Sequence, residues 1–173
     1  RNEDDLYIVG QIPRSDLDLE VIPFAPNPLH VLAHRKHPLA SVRDIPLERL
    51  TEEYFIMREQ GSGTRATVEQ MFADKGLKPK VRMELGSNEA IKHAIMARLG
   101  ISVLSLHTVT LEAGSQPLAI LDVEGFPIRR TWNVVYPKGK ELSVVARAFV
   151  DFLMGEEGKL AAKMEKTAKR LQR

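Results

Sequence analysis

The apolar positions of this chain fall into short blocks whose spacing alternates between the strand and helix periods. Leu6-Tyr7-Ile8-Val9, ended by Gly10, predicts a buried strand. Residues 19–24 and 29–33 predict two more, separated by Ala25-Pro26-Asn27-Pro28, which reads as a turn or loop. Pro38 and Pro46 bracket a connector before the strand Tyr54-Phe55-Ile56-Met57. A helix follows Gly61-Ser62-Gly63-Thr64-Arg65, with Val68, Met71 and Phe72 on one face and Gly76 as its stop. Residues 81–85 predict a strand. Ser87 then caps a helix with Ile91, Ala94, Ile95 and Leu99 on its apolar face, ended by Gly100. Strands are expected over 101–104, 118–123 and 131–136. Helical spacing returns at Val145, Phe149, Phe152 and Leu153, is punctuated by Gly155 and Gly158, and continues as a basic amphipathic tail with Leu160, Met164 and Leu171.

Alternating strands and helices predict an α/β fold with mainly parallel sheets. The middle of the chain has its own strand–helix–strand–helix–strand content, so residues 41–130 are expected to form a lobe inserted into one built from residues 1–40 and 131–173.

Composition narrows the function classes. With 43% hydrophobic and 28% charged residues, the chain is a folded globular one, not a disordered one. A formal net charge of +2 is too small for a nucleic-acid footprint. The absence of cysteine excludes disulfides, zinc–thiolate sites and cysteine nucleophiles, and fits a reducing cytoplasm. Apolar runs such as 101–106 are too short to span a bilayer, and the polar start Arg1-Asn2-Glu3-Asp4-Asp5 does not read as a signal peptide.

The sharpest local feature is Gly61-Ser62-Gly63-Thr64-Arg65 between a strand and a helix. Glycines expose backbone N–H groups and a helix N-terminus favours anions. Ser62 and Thr64 add hydroxyls, and Arg65 a guanidinium suited to carboxylate or phosphate. The alternative is a capped turn, with Arg65 paired to a neighbour such as Glu69 one helical turn away. With Ala66 and Glu84 the stretch also approximates a dinucleotide fingerprint, although its strand does not open a βαβ series. Gly86-Ser87-Asn88 is a second strand-to-helix turn, and two such turns on neighbouring parallel strands would face one crevice. No nucleophile elbow or P-loop is present. His30, His34 and His37 are read as satisfied or exposed histidines with no metal site, Asp16, Asp18 and Glu20 as a solvated strand face, and Trp132 as core or hinge packing.

Asp5-Leu-Tyr-Ile-Val-Gly10, His37-Pro-Leu-Ala40, Arg58-Glu-Gln-Gly-Ser-Gly-Thr-Arg65, Gly100-Ile-Ser-Val-Leu104 and Ala146-Arg-Ala-Phe-Val-Asp-Phe-Leu153 occur in that order. Together, over about residues 4–155, they resemble the effector-binding domain of LysR-type transcriptional regulators, and the Arg-Glu-x-Gly-Ser-Gly-Thr-Arg form is most similar to the CbbR branch that controls carbon-fixation operons. The resemblance implies a type II periplasmic-binding-protein architecture: two Rossmann-like lobes joined by two crossover strands, here near residues 34–41 and 132–138, with the effector between them. It implies a small phosphorylated or carboxylated effector, such as ribulose bisphosphate, phosphoenolpyruvate, 2-phosphoglycolate or nicotinamide dinucleotide phosphate, and no other cofactor. It implies an antiparallel dimer or a tetramer, for which the helices 64–75 or 87–99 would offer Val68, Met71 or Ile91 as anchors. A winged helix-turn-helix, a linker helix and a first β-α-β segment would precede Arg1, so DNA would be bound only through residues outside this chain.

The expected function is therefore sensing, not catalysis, in a cytoplasmic transcription regulator. The residues expected to hold the effector are Ser62, Gly63, Thr64 and Arg65, with Ser87 and Asn88 as second donors and Gln11 from the opposite lobe. A transport-system solute-binding protein would share the fold and is the rival reading. A nucleotide-dependent enzyme built on residues 61–66 lacks a visible acid–base or nucleophile set.

Overall fold

The computed structural model describes residues 4–12, 18–109 and 117–171, apart from the side chain of Glu157. Asp16, the first of the three alternating carboxylates, and Arg1-Asn2-Glu3 lie outside the described residues.

The strands form two separate sheets. In the first, β1 (Tyr7–Val9) and β2 (Leu19–Pro26) flank β8 (Thr131–Pro137), both antiparallel to it. In the second, β3 (Leu29–His34) lies between β6 (Ser102–Ser105) and β7 (Leu118–Ile120), again antiparallel to both. The parallel pair β4 (Tyr54–Arg58) and β5 (Lys80–Leu85) extends this sheet at the Phe55–Ile101 bridge, where the Ile56 N–H donates to the Ile101 carbonyl at 2.8 Å.

The expectation of mainly parallel sheets is corrected by these pairings. Helical crossovers make parallel neighbours only within the run from β4 to β6. Elsewhere the chain passes from sheet to sheet without a helix: β2 leads to β3 through Asn27-Pro28, and β8 carries it back, so each crossing strand runs against its neighbours. Those crossings also differ from the ones expected at 34–41 and 132–138. The Asn27 N–H donates to the Arg130 carbonyl at 2.7 Å and Leu29 bridges Ile128, so the two connections run side by side there. β3 thus pairs with the middle segment and not with the chain ends. Pro26 and Pro28 read as a turn in the sequence, but no turn forms there: Pro26 ends β2 and β3 starts at Leu29.

Helix α1 (Gly63–Asp74) follows β4 and α2 (Asn88–Met96) follows β5, on opposite faces of the second sheet. Alternation along β4 explains this: Phe55 and Met57 pack with Val68 and Phe72 of α1, and Ile56 packs with Ile91 and Ile95 of α2. Phe55 and Phe72 meet edge to face with ring centroids 5.5 Å apart. β3 is buried on both faces along its whole length, the position a near-continuous apolar run predicts. α1 stops at Gly76, whose φ of +68° lets the Leu77 N–H reach back to Phe72 at 2.8 Å. Val68 and Ile91, offered above as dimer anchors, are 1% and 0% exposed and belong to the core.

The last element is a single helix, α3 (Val144–Leu171), and it runs through Gly155 and Gly158 unbroken. Val150 and Leu153 pack on the first sheet, whereas Met164 and Leu171 pack on the α2 side of the second. The C-terminal segment therefore serves both lobes, not one. Its exposed apolar side chains, Val144, Val145, Phe149 and Phe152, lie in the first half.

Candidate functional site

The two sheets face each other across a crevice of about 340 Å³. One wall is the end of β1 and its continuation, Val9 to Gln11, with Trp132 of β8 and the crossing residues Asn27 and Arg130. The other wall is the end of β4 (Arg58), the start of α1 (Ser62, Gly63, Thr64), Asn88 of α2, and Ser105, His107 and Thr108 after β6. Ligands of open α/β sheets sit outside the carboxyl ends of strands, and β4 and β5 deliver α1 and α2 there.

Five of the seven expected residues, Gln11, Ser62, Gly63, Thr64 and Asn88, line this crevice. The turn at Gly61, with φ +85°, sets the direction of the chain into α1. The N-terminus of α1 has no side-chain cap, so the Ser62 hydroxyl and the first N–H groups of the helix face the crevice uncommitted to one another. Gly63 allows the two walls to approach: a Cβ there would lie 2.8 Å from Gln11 Oε1 and 3.6 Å from Arg130 Nη2.

Arg65 and Ser87 are placed differently. Arg65 points away from the crevice and is almost fully buried. Its Nε–H donates to Glu69 at 2.7 Å, and Nη1 donates to the Arg58 carbonyl at 3.0 Å and to the Glu84 carboxylate. Its hydrogen bonds to Glu69 and Glu84 raise its pKa further. The guanidinium is committed to carboxylates of its own fold. Arg65 is the third residue of α1, and its side chain is drawn to the β5 side of the helix by Glu84. The Ser87 hydroxyl accepts from the Ala90 N–H at 3.4 Å, an N-cap.

Arg58 and Arg130 supply the positive charge on the crevice, and no carboxylate is among its lining residues. Arg58 reaches across to Asn88, donating to Oδ1 at 2.8 Å, and its other N–H groups hold Glu59, whose carboxyl this bond lowers to about 2. Arg130 has no such partner. Its Nε–H donates to the Gly10 carbonyl at 2.9 Å, burial lowers its pKa, and Nη1 is buried with no hydrogen-bond partner among the described residues. A buried guanidinium N–H left unmade is costly, so this atom marks a place where an anion is favoured. The sequence reading missed Arg130. The only local signal was its position beside a strand-crossing segment, which the misplaced crossing concealed.

The polar groups opposite are already engaged in structure. Ser105 donates to Asn27 Oδ1 at 2.6 Å, and His107 Nε2 meets the Pro26 carbonyl at 2.8 Å with its ring tilted toward Trp132. Such groups shape a pocket more than they move protons. Among the described residues no three metal-ligating side chains come together.

Comparison with known proteins identifies the family and the fold. The family of LysR substrate binding domains matches residues 1–157. The chain is 51% identical over 156 residues to the HTH-type transcriptional activator CmpR of Synechocystis, covering 90% of this chain and 51% of that protein. It is 48% identical over 163 residues to a RuBisCO operon transcriptional regulator of Acidithiobacillus ferrooxidans, covering 91% and 52%. It spans about half the length of these relatives. Among solved structures, the regulatory domain of Synechocystis CcmR in complex with 2-PG superposes with a TM-score of 0.87 at 50% identity, covering 92% of this chain and 76% of that one. The effector-binding domain of QuiR, in complex with shikimate, shares the fold at 22% identity and a TM-score of 0.74. The chain belongs to the LysR substrate-binding domain family.

Proposed function

We propose that the chain is the sensing part of a transcription regulator and that its crevice binds a small metabolite carrying phosphate and carboxylate groups, with 2-phosphoglycolate as the first candidate. The observation that carries this reading is Arg130: a buried, unpaired guanidinium N–H in a crevice without carboxylates, facing the uncapped start of α1. An effector with two anionic ends could engage both. The 2-PG complex of the similar CcmR domain supports the choice of ligand.

Binding alters regulation only through a difference in affinity between two states of the lobes or of their assembly. A DNA-binding region outside this chain would read that difference. Self-association, a cytoplasmic setting and the lack of catalysis belong to the same reading. No helix among the described residues is long and apolar enough to cross a membrane. The solute-binding alternative gains nothing from the relatives, which are regulators.

The test is calorimetry with 2-phosphoglycolate on the parent chain and on Arg130→Gln. A charged hydrogen bond contributes about 1.5–3 kcal/mol, so the variant should bind about 10- to 150-fold more weakly. Equal affinity in both chains would remove Arg130 from the site.

A further inference from the structure

A second cavity, of about 210 Å³, opens at the other end of the second sheet, where β3 ends and β4 and β6 begin. His34, Lys36, Arg82 and Arg98 line it, and Glu53 is the carboxylate on its wall. Glu53 is already engaged, by His37 at 3.4 Å and by Arg49 at 3.2 Å. Lys36, Arg82 and Arg98 have no carboxylate partner among the described residues.

Arg82 is held by its own side-chain contacts, and the backbone that carries Arg98 is fixed. Arg82 donates to the Leu99 carbonyl at 3.3 Å and lies over the Tyr54 ring at 5.1 Å. Arg98 takes a φ of +60° at the end of α2, and the Leu99 N–H bonds back to Ala94 at 3.0 Å, which fixes the turn. His34 is 8% exposed. Its Nδ1 accepts from the Lys36 N–H at 3.0 Å, so the neutral ring carries its proton on Nε2, which has no partner among the described residues. Burial first, then the charges of Arg98, Lys36, Arg35 and His37, hold its pKa below the usual histidine range. The cavity thus sets a buried neutral donor beside exposed like charges that have no carboxylate partner among the described residues.

We propose that this cavity binds a compact dianion of the sulfate or phosphate class, at a site separate from the interlobe crevice. The donors are the guanidiniums of Arg82 and Arg98, the Lys36 ammonium and His34 Nε2–H. A tetrahedral dianion fits the volume and would relieve the mutual repulsion of these groups.

The experiment is a sulfate titration of the 173-residue chain followed by amide NMR, because sulfate keeps its charge across the working pH range. Lys36, Arg98 and Gly100 report on the cavity, and Gly63, Thr64 and Asn88 on the crevice. The expected result is saturable shifts at the cavity amides, with affinity at least about tenfold weaker in the double variant Arg82→Gln/Arg98→Gln. Unchanged crevice shifts in that variant establish that it is folded. Cavity shifts that never saturate, that persist in the double variant, or that are absent while the crevice amides respond would each overturn the proposal. A crevice that ignores sulfate while the cavity responds would count only against the crevice reading.

Discussion

Arg65 and Glu84 join the first turn of α1 to the strand β5 beside it, the Arg65 guanidinium donating to the Glu84 carboxylate while its Nε–H holds Glu69. The pair fastens the wall of the crevice from behind. Arg65→Ala should therefore lower the urea midpoint of unfolding while changing the affinity for 2-phosphoglycolate by less than about threefold, since the contact it removes is not a ligand contact. Calorimetry and denaturation on the same preparation decide this. A tenfold loss of affinity with an unchanged midpoint would return Arg65 to the ligand.

Gly63 makes the opposite kind of prediction. A Cβ there meets the flexible end of Gln11 at 2.8 Å, and alanine suits the first turn of a helix. Gly63→Ala should leave stability within about 0.5 kcal/mol of the parent. The displaced Gln11 side chain should weaken effector binding about tenfold, a loss of roughly 1.4 kcal/mol. Gln11→Ala alone should weaken binding by a similar factor, because either substitution takes the Gln11 amide out of its place on the crevice. Affinity that survives Gly63→Ala would show that the two walls need not approach so closely.

The elements of the chain were legible because their signals are local. The Ser87 cap, the Gly76 stop, the run Leu29-His-Val-Leu-Ala33 and the Gly61–Arg65 turn each specify backbone geometry over a few residues. Which sheet a strand joins is not local. β3 could be drawn with either lobe until its pairing with β6 and β7 was known, and a crossing misplaced by several residues hid Arg130. The direction of Arg65 failed for a related reason. A guanidinium at a helix N-terminus looks like an anion ligand in sequence, but Glu84 comes from a strand 19 residues away and reaches it first. Gly155 and Gly158 misled by propensity, since packing at both ends of α3 holds the helix through them.

His30 lies on the central strand, 5% exposed, and burial lowers its pKa from 6.5 to about 4. The unfolded chain takes up this proton near pH 6.5 and the folded chain only near 4. The stability it contributes is thus complete above pH 6.5 and is lost as pH falls through that window, by about 3 kcal/mol in all. His34, also lowered, acts in the same direction. Urea unfolding at several pH values between 7.5 and 4 should show the decline, and His30→Leu should flatten much of it. An equally steep decline in that variant would assign the effect to other groups. Glu59 acts mainly below this range, because its carboxyl takes up a proton near 4.5 in the unfolded chain and near 2 in the folded one.

The continuity of α3 has its own test. Gly155 and Gly158 lie within the helix, at negative φ, and a Cβ at either would meet nothing within 4 Å. Glycine costs a helix interior about 0.5–1 kcal/mol relative to alanine, mainly through the freedom it has in the unfolded chain. Gly155→Ala and Gly158→Ala should each stabilise by about that amount, and the two should come close to adding, since neither substitution creates a contact. The gain depends on the helix being formed there, with Met164 and Leu171 seated on the second sheet. The same two substitutions would contribute nothing to global unfolding if the chain broke at the glycines and the basic tail were free. A combined gain below about 0.3 kcal/mol in denaturant unfolding would mean that α3 ends before Gly155 and that its last turns do not hold the two lobes together.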